Sequence, residues 1–98
     1  MEPREMKLSR PVEFGDQVIE SLTAQHVVVV DDLEDGYDEL EILRASQNRP
    51  PLSKRDVSQA EMMKILLARA TGQPLEMIGA MSVKDFQSAV AEFTDFLL

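Results

Sequence analysis

The chain has 98 residues, no cysteine and no tryptophan, with 44% hydrophobic and 29% charged side chains, and 18 acids against 10 bases give a formal charge of −8. That length supports one modest core, burying roughly 65% of the surface exposed by the unfolded chain, and it reads as one domain. The charge argues against a sequence-independent grip on nucleic acid and against anionic membranes, because both draw affinity from Lys and Arg, and the longest apolar runs, Val27–Val30 and Ile65–Ala68, fall far short of the ~20 residues of a bilayer span.

The first segment, Met6-Lys7-Leu8-Ser9-Arg10, alternates as a strand does, and Pro11 suits its end because proline has no N–H to give a ladder. Phe14-Gly15-Asp16 supplies turn chemistry. A second run, Gln17 to Val30, closes on the β-branched tract Val27–Val30, so an antiparallel hairpin is predicted over about residues 6–30, with a loop of about four to six residues and His26 inside the second strand. From Asp31 the period changes: Leu33, Tyr37, Leu40 and Leu43 lie three or four apart, which predicts a helix over about 33–46 whose first turn Gly36 weakens. Pro50-Pro51 marks a linker over about 47–57.

Ser58-Gln59-Ala60-Glu61 is a capping box and opens a helix to about Thr71, with Gly72 placed for the left-handed position just beyond its end. Pro74 suits the first position of a short helix to about Ala80. Ser82-Val83-Lys84-Asp85 introduces the last helix, in which Phe86, Val90, Phe93 and Leu97 form one stripe and Lys84, Ser88, Glu92 and Asp95 lie opposite. The fold class is therefore α+β: an N-terminal antiparallel hairpin followed by three to four helices, with residues 58–98 mostly helical.

Seven acids and no base fall between Asp31 and Glu41 (Asp31, Asp32, Glu34, Asp35, Asp38, Glu39, Glu41), so this stretch carries nearly all the net charge. Asp31, Asp35 and Gly36 match elements of a calcium-binding EF-hand loop. Leu33 at its third position and Ile42 at its twelfth, where the bidentate Glu belongs, break the match. His26 is the sole histidine, which leaves no zinc set and no nucleophile triad, and no phosphate loop, GxSxG or HExxH is present. The sequence offers no catalytic, cofactor-binding or metal residues and does not read as an enzyme.

What remains is apolar surface. Met62, Met63, Leu66, Leu67 and Ala70 form a broad stripe, followed by Met77, Ile78 and Met81, and the chain closes on Phe93-Thr94-Asp95-Phe96-Leu97-Leu98. Methionine-rich faces fill cores and also recur on surfaces that accept partners, and both readings stand at this point.

The order of features is more telling than any one of them. The segment Leu8-Ser9-Arg10-Pro11-Val12-Glu13-Phe14-Gly15-Asp16-Gln17-Val18-Ile19-Glu20-Ser21-Leu22-Thr23 resembles the start of the small tail assembly chaperones of Mu-like and related contractile-tailed phages. Leu66-Leu67-Ala68-Arg69-Ala70-Thr71-Gly72-Gln73-Pro74, Ile78 to Met81, Val83-Lys84-Asp85-Phe86 and Val90 to Leu97 are similar to the second half of that family. The resemblance implies a non-enzymatic phage or prophage protein of the host cytoplasm, absent from the finished virion, that binds the tape measure protein and supports tail-tube assembly. In that reading Met62, Met63, Leu66, Leu67, Phe93, Phe96 and Leu97 supply the contact with the tape measure protein or tail-tube subunits, or the self-association it requires. The competing expectation is an acidic inhibitor or antitoxin-like protein working through residues 31–41, whose binding weakens steeply with salt.

Overall fold

A computed structural model describes residues 2–50 and 57–97, so most of the expected linker, 51–56, lies outside the described residues. The element order is β1 Arg4–Phe14, β2 Gln17–Ala24, α1 Val30–Ser46, α2 Gln59–Thr71, α3 Leu75–Gly79, α4 Val83–Glu92 and α5 Thr94–Leu97. This is the expected α+β layout: an antiparallel hairpin followed by helices, two of them short.

The hairpin is tighter at its turn and shorter at its far end than the sequence suggests. Phe14 pairs with Gln17, leaving a loop of Gly15 and Asp16 rather than about four to six residues. Gly15 adopts φ +60, the conformation that a tight hairpin loop demands of its first residue and glycine gives freely. Pro11 does not end β1, because Lys7 pairs with Ser21 and Val12 with Ile19, so Leu8, Ser9, Arg10 and Pro11 together face Glu20 alone. Inside such a bulge a proline has no ladder hydrogen bond to lose.

The second strand stops at Ala24, so neither His26 nor the valine tract belongs to it. Ala24 pairs with Arg4, and beyond Arg4 the partner strand would have to continue through Pro3, which cannot donate. The backbone turns to the helices instead: Gln25 N–H and His26 N–H donate to Ala70 O at 3.0 and 3.3 Å, and Val28 N–H donates to Phe96 O at 2.9 Å. Val30 then opens α1.

α1 begins three residues earlier than predicted and runs unbroken through Gly36. That glycine is buried where α1 crosses α2, and a Cβ built on it would overlap Ile65 Cγ2. It serves close helix packing rather than weakening the helix start. The far end is closed by Asn48 in the left-handed region (φ 57), with Asn48 N–H on Ala45 O and Arg49 N–H on Arg44 O, the paired bonds of a Schellman stop.

α2 is capped by Ser58, whose Oγ accepts from Glu61 N–H at 3.1 Å, and ends at Gly72 with φ 71, both as predicted. Pro74 sits just before α3 rather than inside it, and Glu39 of α1 accepts the Leu75 N–H at 2.7 Å, satisfying a donor that a helix start leaves free. The last stripe is not one helix. α4 stops at Glu92, and Phe93 (φ −101, ψ 18) turns the chain so that Phe93 and Phe96 meet edge to face in the core, centroids 6.4 Å apart. Arg4 spans the break, donating to Glu92 O at 2.8 Å with its guanidinium 5.9 Å from the Phe96 ring centroid. The core gathers on α2: Ile65, Leu67 and Ala70 lie among Leu22 and Ala24 of β2, Met77 of α3, Ala89 of α4, Phe93 and Phe96.

Candidate interaction surface

Five of the seven residues expected to contact a partner are core residues. Leu66, Leu67, Phe93, Phe96 and Leu97 are buried, Leu67 and Phe93 with no exposed surface at all. They hold the helices together and leave little surface open in this conformation. Met62 and Met63 are half-buried and diverge: the Tyr37 hydroxyl of α1 meets Met62 Sδ at 3.7 Å, whereas Met63 faces α4.

Met63 lines a shallow hollow of about 350 Å³ with Gln59, Ala60, Phe86, Gln87 and Val90. A second hollow of about 240 Å³ adjoins it, sharing Ala60 and Phe86 and adding Lys64, Ile78, Gly79, Met81 and Val83. The two form one apolar groove between the N-terminal half of α2 and the exposed shoulder of α4. Among the described residues no carboxylate lines it, and Val83 at its mouth is 72% exposed. The sequence held a signal for this groove in the Phe86–Val90 stripe. Periodicity assigns that stripe a buried face without saying how completely the fold covers it.

A third hollow of about 310 Å³ lies between α1, α2 and α3, with Leu40, Leu43 and Leu75 beside Arg44, Arg49 and Lys64 and the acids Glu61 and Glu76. Lys64 lines both this hollow and the groove.

The acidic run divides between structural and exposed carboxylates. Asp32 is buried and accepts from Val29 N–H at 2.8 Å, meets His26 Nε2 at 2.8 Å and lies 3.6 Å from Arg69, which also reaches Asp35 at 3.6 Å. The Val29 N–H first and the His26 contact second hold its carboxyl below the ordinary range. His26 thus ties the loop after β2 to the first turn of α1. Asp31, Glu34, Asp35, Asp38 and Glu41 are exposed.

Asp85 does a similar task at the other end. It is buried, and its carboxylate accepts from Ser9 N–H at 2.9 Å, Ser9 Oγ at 2.8 Å and Arg10 N–H at 3.0 Å, the very donors that the β1 bulge frees from the ladder. The Arg10 N–H, followed by the Ser9 N–H, lowers its pKa from 3.8 to about 2. Ser82 Oγ accepts from Asp85 N–H at 3.2 Å, so one residue both starts α4 and clasps the hairpin. Among the described residues no three His, Asp or Glu side chains converge as metal ligands, and no helix is long and apolar enough to cross a membrane.

The arrangement is one of tethering carboxylates and an open apolar groove, the vocabulary of binding. No curated protein and no solved structure matches the chain. A family model described as phage tail assembly chaperone proteins, E, or 41 or 14, matches residues 5–98, including the bulged hairpin, the acidic helix and the groove. The chain belongs to the phage tail assembly chaperone family.

Proposed function

We propose that the protein is a non-enzymatic chaperone that binds the tape measure protein in the host cytoplasm, supports tail-tube assembly and does not remain in the finished virion. The observation that carries this reading is the family match over residues 5–98. The geometry suits it: a tape measure protein is long and largely helical, and an apolar helix face not yet covered by tube subunits would aggregate unless another surface shields it. A groove with no carboxylate among its described lining residues, on a strongly acidic protein, can shield such a face while the like-charged exterior keeps complexes apart.

Co-expression with the tape measure gene of the same phage tests the reading. A tagged chain is expected to retain the tape measure protein through washes at high salt and to raise its soluble yield. No retention when both proteins are soluble contradicts the proposal. Retention that vanishes with modest salt would move the contact to the acidic face of α1 and favour the inhibitor reading.

A further inference from the structure

The groove between α2 and α4 carries enough chemistry to specify its occupant, on the premise of the chaperone reading above. It has two adjoining hollows rather than one, sharing the half-buried ring of Phe86 and the exposed Ala60. One is floored by Met63, Phe86 and Val90 and the other by Ile78, Met81 and Phe86. Paired hollows side by side match the way a helix presents neighbouring anchors three or four residues apart, roughly 5–6 Å between Cβ atoms. Ala60 contributes only a methyl group between them, so a helix backbone can approach α2 closely there. Methionine and phenylalanine walls adapt to anchors of different shape.

Charge sets the sign of the partner. Among the described residues no acid lines either hollow, and the only charged side chain that does is Lys64. Lys84, exposed beside Val83, adds a second base on this side, whereas in the neighbouring hollow Arg44 and Arg49 lie among Glu61 and Glu76. A basic helix would find its complement elsewhere, at a smaller hollow of about 220 Å³ along α1 where Ile42, Leu43 and Pro74 lie beside Glu39 and Glu76. We propose that the α2–α4 groove seats an amphipathic helix of a tail protein whose apolar stripe is flanked by carboxylates, with Met63, Phe86 and Val90 taking its anchors and Lys64 its acids.

The test uses the whole chain and two synthetic helical peptides with the same leucine stripe, one flanked by glutamates and one by lysines, read by fluorescence anisotropy. The glutamate peptide is expected to bind. Val83→Glu, at an exposed position, and Lys64→Glu should each weaken it about fivefold or more with an unchanged circular dichroism spectrum, and Met63→Glu should weaken it further. Lys64→Glu should at the same time improve or preserve binding of the lysine peptide. The proposal fails if the glutamate peptide does not bind, if Val83→Glu and Lys64→Glu bind it as the native chain does, or if the lysine peptide proves the better groove ligand. It fails equally if sedimentation shows a dimer that Val83→Glu dissociates, because a second copy then covers the groove. Should Val83→Glu leave retention of the co-expressed tape measure protein intact, the groove assignment falls while the chaperone reading stands. Absence of that retention in the native chain overturns the chaperone reading itself.

Discussion

The outer face of α1 and the groove between α2 and α4 are opposites. The first is crowded with exposed carboxylates, flanked by bare Val30 and Ile42 and bordered by a hollow that Glu39 and Glu76 line, whereas the second is apolar and, among the described residues, free of acids. Net charge draws attention to the first, but the larger, adjoining apolar hollows point to the second. The difference teaches that a large formal charge can be a condition of solubility, since exposed like charges keep molecules apart without recognising anything. Some of those acids are not free in any case: Asp32 and Glu39 are taken up by backbone N–H groups at helix starts.

Substitutions can break this contrast in order of size. Leu67→Asp places a charge in a site with no exposed surface and is expected to unfold the chain, costing more than about 4 kcal/mol, and Phe93→Ala should cost about 3–5 kcal/mol. Both are measured by urea denaturation. Loss of partner binding in either variant reports unfolding, not a contact.

Asp85→Asn removes the charge of the clasp and sets its amide NH2, a donor, against the Ser9 or Arg10 N–H, for an expected loss of about 2–3 kcal/mol. The same bond has a pH signature. Because the folded carboxyl titrates at about 2 and the ordinary value is 3.8, the native state favours the ionised form. The stabilisation, about 2 kcal/mol, is complete above about pH 5 and is lost as pH falls from there toward 2. Asp32, lowered in the same direction, adds to the same slope. Thermal midpoints between pH 2 and 6 should therefore rise with pH, and the rise should be smaller in Asp85→Asn. An equal rise would remove the clasp from the account.

Gly36→Ala sets overlap with Ile65, at about 1–3 kcal/mol, against the roughly 1 kcal/mol by which alanine favours a helix, and should destabilise by about 1 kcal/mol. A gain in thermal midpoint would show that α1 and α2 can part at no cost. Smallest of all, Asp31→Asn, Asp38→Asn and Glu41→Gln, each exposed, should stay within about 0.5 kcal/mol of the native stability.

The hairpin, the helix starts at Ser58 and Ser82 and the stop at Gly72 were legible in the sequence because each is local chemistry: a turn glycine, a hydroxyl that caps, a left-handed residue. The errors came from long-range geometry. The valine tract has β propensity, yet it leaves the sheet because Pro3 cannot extend the partner strand and Ala70 and Phe96 offer carbonyls instead. Gly36 looks like a breaker until Ile65 of another helix is known to lie against it. The same limit governs the site. Stripes such as Met62, Met63, Leu66, Leu67 and Ala70 on one helix, or Phe86, Val90 and Phe93 further along the chain, have the period of a buried face whether the cover is this chain or another, and only the fold assigns Leu66, Leu67 and Phe93 to the core. Met63 and Phe86 keep part of their surface in a hollow where the small Ala60, one turn before Met63 on α2, adds only a methyl group.

The central claim is that the groove, not the acidic face, holds the partner, and one paired capture measures it. The tape measure protein of the same phage is co-expressed with Met63→Glu plus Val83→Glu, or with Asp31→Asn, Asp38→Asn and Glu41→Gln together, and retention is compared with the native chain after folding of both variants is verified. The groove variant is expected to lose the tape measure protein and the neutralised variant to keep it. Retention by the groove variant together with loss by the neutralised one would contradict the account.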